Sequence, residues 1–464
     1  MDTNEGMLER LFHLRENGTT VRTEIMAGVT TFMTMAYILA VNPSIMSITG
    51  MDKAALLTGT ALAGFLGTLF MAAFANYPFA LAPGMGLNAF FAFTVVKQMG
   101  YSWEMALAAV FVEGILFIAL SLTNVREAIF NAIPFNLKRA VSAGIGLFVA
   151  FIGLGSANII VANPATKISL FSFKGALMSG QFATTGTPVV LAMAGILFTA
   201  VLMAKKVKGN ILWGILFTWI LGMLCEISGL YVPDPSQGAF SCIPDLSAGI
   251  ASFVPASLSP IFMKLDFERV ASLDFIVVLL AFLFVDMFDT LGTLIGVSSK
   301  ANMLDEKGRL PHIKGALMAD ALATTVGACL GVSTTTTFVE SASGVSEGGR
   351  TGLTAMTVAV LFLLSLFLSP LFMAIPAFAT APALVIVGFL MLTAILGIDF
   401  KDPTEAVPSY IAIITMPFAY SIAEGIALGV ISYVIINGIC GHREKISLLM
   451  YVLAALFIGK YLFI

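Results

Sequence analysis

The chain has 464 residues, of which 58% are hydrophobic and only 11% are charged, and its formal net charge is −3. Soluble globular domains carry about 25% charged residues, so this composition excludes a soluble protein and predicts an integral membrane protein. The charge balance offers no basic surface for a nucleic acid. The first 22 residues are polar and lack a short apolar run with a cleavage site, so no cleavable signal is predicted.

Apolar runs of about 20 residues, the length that crosses a bilayer, recur along the chain. In chain order they predict fourteen spans, at residues 23–45, 54–75, 79–98, 103–123, 138–155, 188–204, 210–230, 274–298, 314–331, 332–349, 351–370, 382–398, 405–421 and 423–440. A further apolar run at 446–464 predicts an additional terminal helix, either on the surface or across the membrane. Lysine and arginine in the gaps divide 17 against 6 when the N-terminus is cytoplasmic, which predicts that orientation in the cell membrane.

The predicted spans form two halves, residues 23–230 and 274–440. Before, between and after them lie a cytoplasmic N-terminus (1–22), an external segment (231–273) and a C-terminal segment (441–464). Because each half has seven spans, an odd number, the second half enters the membrane with the opposite orientation, so kinship between the halves would be an inverted repeat. The third span of each half is interrupted, by APGMGLN in the first and by GVSTTTTFVES in the second. Paired interruptions of this kind are typical of a transporter's binding site near the middle of the membrane.

The two interruptions predict short extended segments that meet at mid-membrane. Non-helical backbone is tolerated there only where it is buried in protein or lines a cavity. Pro83 removes a backbone donor, Gly84 and Gly86 remove side chains, and the β-branched threonines favour extended backbone. We expect half-helices to begin near Gly86 and Phe338, with their positive ends facing one point. The alternatives are a proline-kinked helix and threonines that line a helix contact.

Carboxylates within the spans are the main candidate functional residues, because a charge inside a membrane is costly. Asp286 and Asp289 lie three residues apart on one face of the eighth span. Glu340 follows the threonine run, and Asn88 occupies the matching position in the first half. We expect these four side chains to ring one cavity.

Other polar residues have more than one interpretation. Glu113, in the fourth span, is either a proton carrier or a structural carboxyl group, and Asp320 is expected to support backbone or packing. Four glutamates near span ends are expected to be interfacial or capping: Glu24, Glu104, Glu226 and Glu424. The four cysteines show no CxxC pair, and Cys225 and Cys242 are either apolar filler or a disulfide. The three histidines fall between spans, so no metal site, cofactor or catalytic residue is predicted.

The predicted cavity suits a neutral molecule rich in N–H donors, since the spans hold almost no lysine or arginine to attract an anion. Guanine presents adjacent N–H donors that a carboxylate can accept, and hypoxanthine presents one, whereas adenine needs a protonated carboxyl group or an amide. Candidates for stacking on a flat ring are Phe90, Phe91, Phe288 and Phe338, with ordinary cavity lining as the alternative.

Buried carboxyl groups are also candidate proton carriers, because desolvation disfavours their charged form. We expect Asp286 and Glu340, with Glu113 as a further candidate, to couple uptake to the proton gradient. Sodium is the alternative coupling ion, because exposed carbonyl groups and carboxylates also bind it.

Four long motifs occur in order: TTFMTMAYILAVNP (30–43), APGMGLNAFF (82–91), FVDMFDTLGTLIGV (284–297) and ADALATTVGACLGVSTTTTFVESASGV (319–345). In these motifs the chain resembles the AzgA-like purine permeases of the nucleobase:cation symporter and nucleobase–ascorbate transporter superfamily, from about residue 8 to residue 460. The resemblance implies a 7+7 inverted repeat with a core domain (spans 1–4 and 8–11) and a gate domain (spans 5–7 and 12–14). It further implies import of adenine, guanine or hypoxanthine with protons, by an elevator-type motion and often as a homodimer.

Motif and resemblance together give the expected substrate-binding residues: Gly86, Asn88, Asp286, Asp289, Thr337, Phe338 and Glu340. The alternatives are a transporter of the same fold for xanthine, uracil or an anion, or one coupled to sodium. A remote alternative is an intramembrane aspartyl protease. That chemistry needs two aspartates from separate helices that share a proton, whereas Asp286 and Asp289 lie on one helix.

Overall fold

Helices make up nearly all of the regular structure. The computed structural model describes residues 5–122, 134–234, 239–244, 247, 253–268, 270–300, 303, 310–311 and 313–463. The first-half helices are α1 (Glu5–Phe12), α2 (Val21–Met35), α3 (Ile38–Met46), α4 (Lys53–Ala75), α5 (Met85–Ala89), α6 (Trp103–Ser121), α7 (Phe135–Ser156), α8 (Phe173–Met178), α9 (Thr187–Ala204) and α10 (Asn210–Ile227). The second-half helices are α11 (Leu273–Lys300), α12 (Ile313–Cys329), α13 (Ser341–Ser346), α14 (Gly352–Ser365), α15 (Ser369–Met373), α16 (Ala377–Leu392), α17 (Pro403–Phe418), α18 (Ile422–Ile439) and α19 (Leu448–Phe463).

Short strands and tighter or wider helical turns complete the chain. The strands are β1 (Leu81–Pro83), β2 (Ile160–Asn163), β3 (Lys167–Leu170) and β4 (Thr335–Thr337). π-Helical segments cover Phe90–Gln98 and Phe182–Gly186, and 3₁₀ turns cover Ser47–Thr49, Leu366–Leu368, Thr393–Gly397 and Arg443–Lys445.

The length and apolar character of the helices make this a multi-pass membrane protein. Within the described residues, eight helical stretches are long and apolar enough to cross a membrane: Val21–Thr49, Lys53–Ala75, Trp103–Ser121, Phe135–Ser156, Phe182–Ala204, Asn210–Ile227, Gly352–Met373 and Ala377–Gly397. Shorter apolar helices cover Phe275–Met287, Glu424–Ile439 and Leu448–Gly459. The expected additional terminal helix is present as α19, which packs on α18.

Side-chain caps explain where several of these helices begin. Thr20, Asp52, Ser102 and Ser421 each accept a hydrogen bond from the backbone N–H three residues ahead. Such caps satisfy one of the first N–H groups, which have no acceptor within the helix. The N-terminal ends of α2, α4, α6 and α18 are therefore encoded by local sequence.

Glu24 caps a helix other than its own. Its side chain is fully buried in α2. One carboxylate oxygen accepts the N–H of Arg350 at 2.8 Å, and the other accepts the N–H of Thr354 at 3.1 Å and its hydroxyl at 2.6 Å. This carboxylate thus binds the beginning of α14 and ties the two halves of the chain together.

The helices pack in two groups. In the first group α4 contacts α12 and α14, α6 contacts α11 and α12, and α2 contacts α13 and α14. In the second group α7 contacts α16, α17 and α18, and α9, α10 and α16 contact one another. Glycines permit these close crossings: a Cβ added at Gly388 of α16 would collide with the carbonyl oxygen of Gly146 in α7.

Two strands from opposite halves pair in the interior, as the interrupted spans predict. β1 and β4 are antiparallel, with the register Leu81↔Thr337, Ala82↔Thr336 and Pro83↔Thr335. The N–H of Gly84 donates to the carbonyl oxygen of Thr334 at 3.0 Å, and the N–H of Phe338 donates to that of Ala80 at 2.9 Å. We call this pair the strand crossing. The strand crossing supplies hydrogen-bond partners to the non-helical backbone inside the protein. Buried backbone N–H and C=O groups require such partners.

Each strand leads into a helix, but the second helix begins later than predicted. The first half-helix, α5, begins at Met85, next to the predicted start at Gly86, and continues into the π-helical segment. The second, α13, begins at Ser341, three residues after Phe338. The delay arises because the N–H of Phe338 still belongs to the strand crossing and the next two residues form a turn.

One hairpin was not predicted from the sequence. β2 pairs antiparallel with β3 in the segment between the fifth and sixth predicted spans. In its turn, Asn163 Oδ1 accepts the N–H groups of Ala165 at 2.8 Å and Thr166 at 3.2 Å. Asparagine and proline in a short polar stretch between two apolar runs were the available signal for this turn.

Candidate functional site

Hydroxyl groups from two helices hold the strand crossing. Thr68 of α4 donates to the carbonyl oxygen of Leu81 and accepts its N–H, both at 3.0 Å. Thr324 of α12 donates to the carbonyl oxygen of Thr335 at 3.0 Å. Both threonines are fully buried. In each half of the chain, a threonine of a helix thus donates its hydroxyl group to a carbonyl oxygen of the strand.

Two partly exposed carboxylates lie beside the crossing. Glu340 follows β4, and its Oε1 accepts a hydrogen bond from the Tyr37 hydroxyl at 2.7 Å. Asp289 of α11 is close enough to Glu340 for their charges to interact. A Cβ added at Gly84 would lie 3.7 Å from Asp289 Oδ2, so this carboxylate faces the residue just before α5. The first N–H groups of α5 have no acceptor within the helix. We call Tyr37, Asp289 and Glu340 the carboxylate face.

A second set of carboxyl groups lies behind this face and is fully buried. Asp286 of α11 and Asp320 of α12 both contact the Thr290 hydroxyl, at 3.0 Å and 2.9 Å from their Oδ1 atoms. Thr290 in turn lies 2.6 Å from the hydroxyl of Thr336 in β4. The aspartates of the eighth span therefore occupy different environments, Asp289 partly exposed and Asp286 inside a hydrogen-bond network.

Asn88 and Glu113 are also fully buried, and both bind the residues that precede β4. The Ser333 hydroxyl donates to Asn88 Oδ1 at 2.6 Å, and the Thr334 hydroxyl donates to Glu113 Oε2 at 2.8 Å. The Asn88 side chain also donates to the carbonyl oxygen of Pro83 at 3.4 Å. The structure thus brings the four expected polar residues to one region, with Asp289 and Glu340 on its accessible side and Asp286 and Asn88 behind.

The remaining expected site residues belong to the packing around the crossing. Phe90 is 1% exposed and packs edge to face against Phe282, with ring centroids 4.8 Å apart. Phe338 is buried next to β4, as is Thr337 within the strand. Gly86 packs on α7, since a Cβ there would lie 2.6 Å from Ile145 Cγ2. The side chain of Phe288 lies outside the described residues.

Sequence reasoning missed the hydroxyl groups that complete the site. Tyr37, Thr290, Ser333 and Thr336 each form a hydrogen bond with a site residue or with its partner. Thr290 follows Asp286 by four residues, a spacing that places both on one helical face and could have indicated the contact. Tyr37 and Glu340 lie 303 positions apart, and no local pattern relates them.

Comparison with known proteins matches the whole chain. It is 41% identical over 463 residues to the adenine permease AdeP of Escherichia coli, covering 100% of this chain and 97% of that protein. It is 43% identical over 468 residues to the guanine/hypoxanthine permease PbuG of Bacillus subtilis, covering 98% of this chain and 100% of that protein.

A solved structure shares the fold. The transmembrane domain of the cyanobacterium bicarbonate transporter BicA matches with a TM-score of 0.63, covering 88% of this chain and 97% of that chain. At 16% sequence identity the likeness concerns the fold alone.

The model of the Permease family (Xan_ur_permease) matches residues 22–428. This match and the full-length permease relatives confirm the resemblance found in the motifs, and with it the prediction of a transporter rather than an enzyme. The chain belongs to the Permease family.

Proposed function

We propose that this permease imports purine nucleobases across the cytoplasmic membrane by proton symport. The observation that carries the proposal is the carboxylate face, two partly exposed carboxylates beside the beginning of a half-helix. The relatives named as adenine and guanine/hypoxanthine permeases support a purine as the substrate.

The carboxylate face offers the chemistry that a purine edge needs. Asp289 and Glu340 can accept N–H groups of the base, and a carboxylate that carries a proton can donate to a ring nitrogen. The backbone N–H groups at the beginning of α5 can donate to a carbonyl oxygen of the base. Because the face combines acceptors with donors, it suits a neutral heterocycle better than an anion.

The coupling of base to proton follows from the same groups. Two carboxylates that repel each other bind a proton more readily, and a base that accepts a hydrogen bond favours the protonated form. Proton and base then favour each other's binding, which couples inward movement of the base to the proton gradient.

The proposal also includes the architecture and the conformational change that carry the base across the membrane. We infer fourteen spans in a 7+7 inverted repeat, with the N-terminus in the cytoplasm. The matching roles of Thr68 and Thr324 support the repeat. Tyr37 and Asp289 are separated by 252 positions in the sequence, as are Asn88 and Glu340, which supports it further. The two packing groups of helices support a core that carries the site and a gate beside it, with an elevator-type motion between them. The motif resemblance supports a homodimer.

Uptake of radiolabelled purines by cells that lack their own purine carriers tests the proposal. We expect uptake of at least one purine, competition by unlabelled bases, and loss of uptake with a protonophore. Glu340→Gln and Asp289→Asn should each abolish uptake, whereas Asp399→Asn, at an exposed position, should leave it unchanged. Wild-type affinity in both site variants would refute the site. Sodium dependence without protonophore sensitivity would refute the coupling.

A further inference from the structure

The hydroxyl of Thr290 lies at the centre of three short oxygen contacts. Its Oγ1 is 3.0 Å from Asp286 Oδ1, 2.9 Å from Asp320 Oδ1 and 2.6 Å from Thr336 Oγ1. Thr290 and both aspartates are fully buried, and Thr336 is 1% exposed. The aspartates come from neighbouring helices, α11 and α12, and Thr336 comes from the strand crossing.

The number of protons on these groups follows from the valence of the hydroxyl. A threonine hydroxyl has one proton to donate and lone pairs to accept two more. If Thr290 donates to one aspartate, the other aspartate oxygen must donate to Thr290, because two oxygens at this distance without a proton between them repel. If Thr290 donates to Thr336 instead, both aspartates must donate. Every arrangement in which each of the three contacts is a separate two-centre hydrogen bond therefore puts at least one proton on Asp286 or Asp320.

We propose that Asp286, Thr290 and Asp320 form a buried proton-binding site, separate from the carboxylate face and occupied in this conformation. The proton lies on Oδ1 of either aspartate and is hydrogen-bonded to Thr290. Asp320, which the sequence predicted to support backbone or packing, is one of the two proton-binding groups. When the proton leaves, both aspartates carry charge and compete for the single proton of Thr290, so one of the three contacts must lengthen.

The buried proton-binding site is close enough to the carboxylate face for their charges to interact. Asp320 interacts electrostatically with Asp289, and Asp289 with Glu340 and with the Tyr37 hydroxyl. Thr336 connects the site to the strand crossing, and Thr334, the residue just before β4, binds Glu113. A proton on Asp286 or Asp320 removes one negative charge behind Asp289, which favours an ionised carboxylate at the face. This role in coupling rests on the proposed symport, whereas the proton site itself does not.

Infrared spectroscopy of the purified full-length protein, without substrate and at neutral pH, tests the site. The carbonyl stretch of a protonated carboxyl group is distinct from that of a carboxylate, and it shifts on exchange into heavy water. We compare wild type with Asp320→Asn and Asp286→Asn, in which the amide donates to Thr290 and the remaining aspartate no longer needs a proton. Asp399→Asn is the control at an exposed position.

We expect the wild-type spectrum to contain a protonated-carboxyl band that is lost in Asp320→Asn, in Asp286→Asn or in both, and is unchanged in the control. Full retention of the band in both variants would overturn the proposal. Should these variants fail to fold, Thr290→Val and Thr290→Ser replace them, since valine removes the hydroxyl and serine keeps it. A shift of the band in the valine variant alone supports the site, and an identical band in both overturns it. Since no transport is measured, failure here is distinct from failure of the purine uptake assay.

Discussion

At the scale of single residues, similar carboxyl groups have different surroundings. Asp286 and Asp289 lie three residues apart on one helix, yet Asp286 is fully buried and Asp289 is partly exposed. Glu113 and Glu340 differ in the same way, since Glu340 binds a tyrosine hydroxyl at the accessible face and Glu113 binds a threonine hydroxyl in the interior. The partner of each carboxyl group suggests its role.

Tyr37→Phe tests the carboxylate face. Phenylalanine keeps the ring but removes the hydroxyl that donates to Glu340, and a hydrogen bond to a charged group contributes about 1.5–3 kcal/mol. We expect the ratio of maximal uptake rate to KM to fall by about tenfold or more. Tyr231→Phe is the matched control, because its hydroxyl donates to the Phe240 carbonyl oxygen, outside the site. Equal uptake by the two variants would contradict a role for Tyr37.

Substitutions of Glu113 test whether this residue is a structural carboxyl group or a proton carrier. Its Oε2 accepts the Thr334 hydroxyl, a bond that the carbonyl oxygen of glutamine can also accept. We expect Glu113→Gln to keep proton-coupled uptake, and Glu113→Ala to lower the midpoint of thermal unfolding, because it leaves a buried hydroxyl unsatisfied at a cost of about 1–3 kcal/mol. Loss of proton coupling in the glutamine variant, with normal folding, would instead identify Glu113 as a proton carrier.

At the scale of secondary-structure elements, the strand crossing positions the site. β1 and β4 are only three residues long, yet they link the two halves, lead into α5 and α13, and contact α4, α11 and α12. Successive threonines of β4 contact different helices, because successive side chains of a strand point to opposite faces. Thr336 contacts Thr290 of α11, whereas the Thr335 hydroxyl lies where a Cβ on Gly327 of α12 would meet it.

Gly84 tests how closely the crossing is packed. A Cβ there would lie 2.7 Å from Thr336 Cγ2, so Gly84→Ala should push β4 away from β1 and lower both uptake and thermal stability. Adding Thr336→Ser removes the opposing methyl group and keeps the hydroxyl that contacts Thr290. We expect the double variant to recover part of the uptake and of the unfolding midpoint. An unaltered defect in the double variant would show that the methyl contact is not the cause.

At the scale of the whole molecule, the site lies within the first packing group of helices, and the second packing group touches it from the side. The carboxylate face and the strand crossing lie among α2, α4, α6, α11 and α12, while α7 packs with α16, α17 and α18. Gly86 of α5 meets Ile145 of α7 where these two groups touch. The proposed elevator-type motion would require this contact to slide, so a cross-link here tests that motion.

A disulfide between positions 86 and 145 should arrest transport. The Cβ positions of these residues are 4.0 Å apart, within the range of about 3.5–4.5 Å that disulfides adopt. In a background without the native cysteines, Gly86→Cys with Ile145→Cys should lose its residual uptake on oxidation and regain it on reduction. Neither single-cysteine variant should respond to oxidant. Full uptake by the cross-linked protein, with the cross-link verified by mass spectrometry, would exclude sliding at this contact.

The sequence by itself determined the membrane class, the helix ends with local caps, the two interrupted spans and the polar residues gathered around them. These features depend on composition and on residues whose effect is local, such as Pro83 and the threonine run. Only the tertiary structure decided which carboxyl group is accessible. Positions three apart on a helix differ by about 60° in direction, so neighbouring helices determine which of Asp286 and Asp289 is buried. Contacts such as Tyr37 with Glu340 and Asp320 with Thr290 join distant segments, which no local pattern encodes.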